Sequence, residues 1–291
     1  MMKKQLALAA GFLLLSGAVC AAAASEASYY PLSITRGSRL MIAASINGHP
    51  VKAVLDSAAE ATLVDRDFAA KLNLKSSSTV AGQGSGNGSF ETGLANGVQL
   101  GALGLTLPDQ TVAIVDLSDV GQRLFASKLD VILGREIFDA ARLHIDIDAH
   151  RIQVVGSGRE PAGVRLELIT EHGVETVPVR VEGGEPVRAT FDLGNGSNVL
   201  IGSAFAQRLH LLTYGRKVTT KSGGGLGGAT LRQIVTLRTL EVAGRTFTDV
   251  SAAIDAQPSA SDVNIGVNIL RHFAITTDFA NHAVWLAPRR P

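Results

Sequence analysis

The chain repeats itself, and that restricts its possible folds more than any other feature. The stretch "VKAVLDSAAEATLVDRDFAAKLNL" (Val51 to Leu74) returns as "VRATFDLGNGSNVLIGSAFAQRLHL" (Val187 to Leu211). In each copy an apolar run meets an aspartate, small residues follow, and an apolar pair leads into a helix-like segment, "FAAKL" at Phe68 and "FAQRL" at Phe205. Asp56 and Asp192 are 136 positions apart. A second echo links "LDVILGREIFDAARLHIDIDAHRIQVV" (from Leu129) to "SDVNIGVNILRHFAITTDFANHAVWL" (from Ser261). There Gly134 and Gly266 are 132 positions apart, as are Asp146 and Asp278. Between the echoes each half carries a glycine-rich segment, "GQGSGNG" from Gly82 and "SGGGLGG" from Ser222, followed by strand-like alternation. Features recurring in one order at near-constant spacing define a duplicated domain. The halves run from about residue 30 to 155 and from about 163 to 288, joined through "GSGREPAG".

Each half reads as β-structure. Short alternating runs such as "TVAIVDL" and "ARLHIDI" are bounded by Gly, Asn and Asp. Helices are expected only at about Asp65 to Leu72, at about Ser203 to Leu211, and for a turn or two after Gly134 and Gly266. The fold class expected is all-β, two homologous lobes related by an approximate two-fold axis.

Charge and composition exclude several functions. A formal charge of +1, no basic runs and 5% aromatic residues give no footprint for nucleic acid or an anionic membrane surface. Lys3 and Lys4, the uncharged Leu6 to Val19 and the small residues Ala21 to Ala24 read as an export signal over residues 1–24. An exported protein, periplasmic or secreted, is therefore expected, with an uncleaved membrane anchor as the alternative. Removal of the signal takes Cys20, the sole cysteine, and with it disulfides and thiol chemistry. The seven histidines form no H-x-x-H pattern, so no metal site and no cofactor is expected. "GGGLGG" has dinucleotide-loop spacing at Gly223, Gly225 and Gly228, but it leads into a strand-like run where that motif opens a helix. No G-x-S-x-G elbow is present.

What remains is a pair of aspartates after apolar runs. Approximate two-fold symmetry places a feature near the axis face to face with its copy. Two carboxylates sharing a site hold one proton between them over a wide pH range. The ionised member can take a proton from water while the protonated one polarises a carbonyl, which is general acid–base hydrolysis.

The apolar-Asp-small-small pattern, the later "VILG" and the glycine-rich segment between them resemble the retropepsin and pepsin-like aspartic proteases, in particular exported bacterial members with two repeats. The resemblance covers nearly the whole chain beyond the export signal. It implies two β-barrel lobes with a cleft between them, Asp56 and Asp192 as the catalytic pair of an aspartic-type endopeptidase, and a peptide or protein substrate. Ser57, Ala58, Gly194 and Asn195 would support the aspartates, with Gly134 and Gly266 beneath their loops. Gly84, Ser85 and Gly86, with Gly224, Gly225 and Gly227, would belong to flaps over an extended peptide. A monomer with both lobes in one chain is expected. The family pattern is Asp, then Thr or Ser, then Gly. Here "DSAAE" has Ala58 for the glycine, "DLGNG" has Leu193 for the hydroxyl, and "VNIG" has Asn264 for an aliphatic residue. These departures leave two readings open: a peptidase, or an inactive relative that binds peptides in the cleft. Asp146 and Asp278, each before a turn, read as structural, and Trp285 reads as core.

Overall fold

The computed structural model describes residues 28–289 apart from 87, 214 and 259, so the export segment expected at 1–24 lies outside it. Each half forms an eight-stranded sheet that closes on itself. In the first lobe Leu40–Ile46 and His49–Leu55 form a hairpin whose turn, Asn47-Gly48, has φ values of 49° and 79°. Positive φ at both central residues is the turn that matches strand twist in a two-residue hairpin. His49–Leu55 then pairs in parallel with Val131–Leu133, which runs antiparallel to Leu63–Asp65. Ala53, Val54, Leu55, Val131, Ile132 and Leu133 are all buried. Central strands covered on both faces read as continuous apolar runs, which is why the aspartate follows Ala-Val-Leu. Leu40–Ile46 also pairs with Ser89–Ala102 and so closes the sheet.

The second lobe repeats the plan. Pro186–Phe191 pairs in parallel with Val263–Ile265, which runs antiparallel to Val199–Gly202, and Val174–Val181 closes the sheet on Thr230–Val242. The helices are Arg66–Lys71, Glu136–Ala140, Ser203–Arg208 and Val267–Leu270, at the four places expected. An additional segment, Ser118–Val120 continuing into a π-turn over Gly121–Phe125, has no counterpart in the expectations. Among the described residues no helix is long and apolar enough to cross a membrane.

A third sheet of six strands joins the lobes. Its order is Tyr30–Pro31, Arg151–Val154, Leu143–Asp146, Phe273–Asp278, Ala283–Pro288, Val164–Glu167, three strands from each half. At its centre Leu143 pairs with Thr277, His144 with Thr276 and Ile145 with Ile275. Positions 143, 144 and 145 correspond to 275, 276 and 277 by the repeat of 132, so the outer pairs exchange and His144 faces its own counterpart. The pseudo-two-fold axis therefore passes through His144 and Thr276, whose Nδ1 and Oγ1 are 3.0 Å apart. Phe138 of the first lobe stacks on Phe279 of the second, ring centres 5.0 Å apart, within one apolar core that spans both lobes.

The aspartates read as structural lie in this sheet, and they do more than shape turns. Asp278 accepts from Nε and Nη2 of Arg142 at 2.9 and 2.6 Å, and Asp146 pairs with Arg289, so each lobe's carboxylate holds an arginine of the other. Trp285 is core as expected; its indole N–H donates to Glu160 at 3.0 Å and Arg142 lies over its ring. The side chains of Arg142 and Asp278 are only 12% and 6% exposed. Removing one partner of such a pair leaves an unpaired buried charge, so Arg142→Ala is expected to lower the unfolding free energy by about 3 kcal/mol in a denaturant titration. Arg271→Ala, which breaks the exposed pair with Asp148, is expected to cost less than about 1 kcal/mol.

Candidate active site

Each aspartate stands at the point where a buried strand leaves its ladder. Asp56 N–H still donates to Leu133 O, and Asp192 N–H to Ile265 O, both at 3.0 Å, so each backbone is anchored while the side chain emerges beyond the last apolar residue. The loops then turn back on their own carboxylates. Ala58 N–H donates to Asp56 Oδ1 at 2.9 Å, and Gly194 and Asn195 N–H donate to Asp192 Oδ1, both at 2.9 Å. Alanine in place of the family glycine thus does not keep the amide from Asp56. Gly194 is the position where glycine is required by a neighbour across the cleft. A Cβ there would fall on the Asp56 carboxyl group. The Asp56 side chain therefore lies against the backbone of the opposite lobe's loop, which brings the two carboxylates into one site.

Ser57 ties the loops together alone. Its hydroxyl donates to Phe191 O at 2.7 Å and accepts from Leu193 N–H at 2.9 Å. Leu193 is fully buried and offers no reciprocal hydroxyl. The inter-lobe link is thus present once rather than twice.

The donors around the carboxylates are unequal. Asn264 Nδ2 donates to Asp192 Oδ2 at 2.7 Å, and Asn195 Nδ2 donates to Asn264 Oδ1 at 2.8 Å, which holds the amide in that orientation. The first lobe has Ile132 at the place of Asn264, with no donor to give. Both aspartates are partly exposed as residues, with their carboxyl groups closely surrounded by protein. Burial, then the like charge of Asp192, pushes the Asp56 carboxyl up to about 7, against the Ala58 and Ala59 amides and Arg39. Burial also raises Asp192, opposed first by Asn264 and then by the Asn195 and Gly194 amides. Negative charge is favoured on Asp192 and the proton on Asp56.

Behind the loops, Gly134 packs against the Ala61–Thr62 backbone and Gly266 against Asn195, each too closely for a side chain. Above the site the two glycine-rich tips meet one another. Gly86 N–H donates to Leu226 O at 2.7 Å and Gly88 N–H to Gly227 O at 2.8 Å. Gly84 lies against Leu226, Ser85 against Gly225, and Gly227 against Gly88. Arg123, on the unforeseen π-turn, holds Gly224 O and Gly225 O at 3.2 and 2.9 Å, while Arg232 and Gln257 hold Ser85 O and Gly86 O. Leu226 reaches across to an apolar cluster of the first lobe that includes Met41, Ile132 and Leu117. The glycine-rich residues named from the sequence thus pair tip to tip across the two lobes.

Three contributors were not named as site residues from the sequence: Asn264, Arg123 and Arg39. Asn264 carried a signal, the break of the echo with Ile132. Arg39 and Arg123 carried none, because only folding brings them to the cleft. Among the described residues no group of three or more His, Cys, Asp or Glu could hold a metal ion.

Two measurements test this geometry. Ser57→Ala leaves a buried N–H and a buried carbonyl unsatisfied and is expected to cost about 3 kcal/mol of unfolding free energy. The Asp56 carboxyl is raised from 3.8 to about 7, so between those values the folded state binds more protons than the unfolded one and stability falls as pH rises. Asp56→Asn removes that slope, and its melting temperature is expected to gain on the wild type as pH increases from 4 through about 7.

No curated protein matches the chain. The family model described as aspartyl protease matches it in two segments, residues 42–137 and 177–269, one in each lobe and together more than half of the sequence. With one aspartate of the central pair inside each matched segment, the chain belongs to the aspartyl protease family.

Proposed function

We propose that this protein is an aspartic endopeptidase of the pepsin and retropepsin type, with Asp56 and Asp192 as its catalytic pair. The observation that carries the reading is the meeting of two like-placed carboxylates from opposite lobes with unequal donor sets. Asp192, held by two amides and Asn264, is the anion that takes a proton from water; Asp56 carries the proton given to the scissile carbonyl oxygen. Water oxygen bonds to the carbonyl carbon, forming a gem-diol. On collapse a diol hydroxyl returns its proton to Asp56, the C–N bond breaks, and the proton on Asp192 passes to the departing nitrogen. The pair is restored to one proton, with no covalent intermediate. The flaps part to admit an extended peptide and close to exclude water. Export through residues 1–24 and a monomeric state belong to the same proposal.

One observation favours a second reading, a cleft that binds peptides without cutting them: Leu193 removes half of the hydroxyl link between the loops. Peptide-library cleavage from about pH 3 to 8 separates the two. Asp56→Asn and Asp192→Asn are each expected to lower kcat by about 10³-fold or more with folding intact; unchanged cleavage would sink the proposal. Wild-type activity is expected to fall as pH rises through about 7, where Asp56 loses its proton. Asn264→Ile is expected to move the acid limb of the profile upward, because Asp192 loses a donor to its ionised form. If wild type and the double Asn variant bind the same peptides and neither cuts, the second reading holds.

A further inference from the structure

Among the described residues Arg39 makes no ion pair, although Asp192 and Asp56 lie within electrostatic reach. It ends the turn after Ser33–Ile34, on the wall of the cleft, partly buried and with its guanidinium over the Phe125 ring at 5.7 Å. It lies within electrostatic reach of Asp192, Asp56 and Arg123. A guanidinium has five N–H donors. Among the described residues one acceptor meets this one, Gly37 O at 3.1 Å from Nη1, and no acidic side chain comes within ion-pair distance. The two arginines that hold the flap tips each have an ion-pair partner: Arg123 has Asp119 and Arg232 has Asp255.

The repeat shows why Arg39 has no internal partner. The first active-site loop has Glu60 four positions after its aspartate; the second has Gly196. Gly37 O and the Ser38 backbone occupy the space a side chain on Gly196 would need. Position 196 of the second loop therefore has no room for a side chain that could reach Arg39. A half-buried guanidinium with open donors, beside the place where a substrate backbone must pass, matches the planar, bidentate geometry of an incoming carboxylate.

We propose that Arg39 is a specificity-determining residue that binds a carboxylate of the peptide in the cleft, giving a preference for Asp or Glu beside the scissile bond. This rests on the reading that the cleft takes peptides. Two sources share the chemistry, an acidic side chain and the peptide's own C-terminal carboxylate, and the experiment separates them.

The test measures binding in the Asp56→Asn background, so that substrates are retained rather than consumed. A pool of random octapeptides is made in paired Glu and Gln forms, each with a free or an amidated C-terminus, and the peptides retained are quantified by mass spectrometry. Amidated Glu forms are expected to be enriched over their Gln partners by about tenfold or more, as a charge-assisted bidentate contact warrants. Adding Arg39→Met is expected to bring the two forms within about twofold, through a selective loss of the Glu forms. Arg39→Lys, which keeps charge but loses the fork, is expected to retain part of the preference and serves if the Met variant does not fold. Arg36→Gln, exposed in the same turn, is the control and is expected to keep the full preference. Enrichment that follows only the free C-terminus would assign the contact to the chain end and overturn the side-chain preference. Equal retention of Glu and Gln forms, or equal weakening of both by Arg39→Met, would overturn the inference and leave Arg39 as a counter-charge for the aspartates. Retention of no peptide at all would remove the peptide-cleft reading beneath it.

Discussion

Two carboxylates at the floor of one cleft oppose their own arrangement, because burial and mutual repulsion both disfavour the second negative charge. Much of the remaining architecture resists that tendency. The shared six-stranded sheet ties the lobes together at His144 and Thr276 on the axis. Arg142 and Arg289 clasp aspartates of the opposite lobe, and Phe138 stacks on Phe279 in a core common to both. Closer to the site, the Ser57 hydroxyl bonds two backbone groups of the opposite loop. With the lobes held at several points, the carboxylates cannot relieve their repulsion by drawing apart. Both carboxyl groups are pushed up from their ordinary range instead.

The frame is symmetric, but its chemistry is not. Matching strands deliver Asp56 and Asp192 by the same ladder geometry. Around them the copies have diverged: serine faces leucine, alanine faces glycine, isoleucine faces asparagine, and glutamate faces glycine four positions on. Each difference breaks the equivalence of the two acids. Asn264 adds a donor on the side of Asp192 alone, and Gly194 makes room for Asp56 alone. Divergence at a symmetric site thus gives the two carboxylates different surroundings without a change in the strands that deliver them. The family's most familiar motif is incomplete in both halves, yet its two physical tasks are still performed: an amide reaches each carboxylate, and a hydroxyl links the loops.

Much of this was legible before folding. Asp56 and Asp192 stood out because strands buried on both faces must be continuously apolar, so a carboxylate at their end is conspicuous, and a repeated one more so. The four helices followed from the same repeat. Where a residue's role is set by backbone geometry, however, substitution rules misled. Ala58 departs from the family pattern, but the loop still places its N–H on Asp56 despite the Cβ. Leu193 offers no hydroxyl, so Ser57 makes its two bonds with no reciprocal pair from the other loop. The π-turn over Gly121–Phe125 gave no periodic signal because it is one irregular turn, in which Arg123 holds the flap while Leu124 and Phe125 pack on an apolar cluster.

The sequence by itself determined the duplication, the β-class, the pair of aspartates and the glycine-rich tips, because each rests on local periodicity or on a spacing that the repeat displays twice. Only the tertiary structure decided which residues surround the aspartates. Asn264 reaches Asp192 from 72 positions away, Ser57 reaches Phe191 from 134 away, and Arg39 comes within electrostatic reach of Asp192 from the opposite lobe. Contacts at such separations are products of chain topology, and no local pattern encodes them.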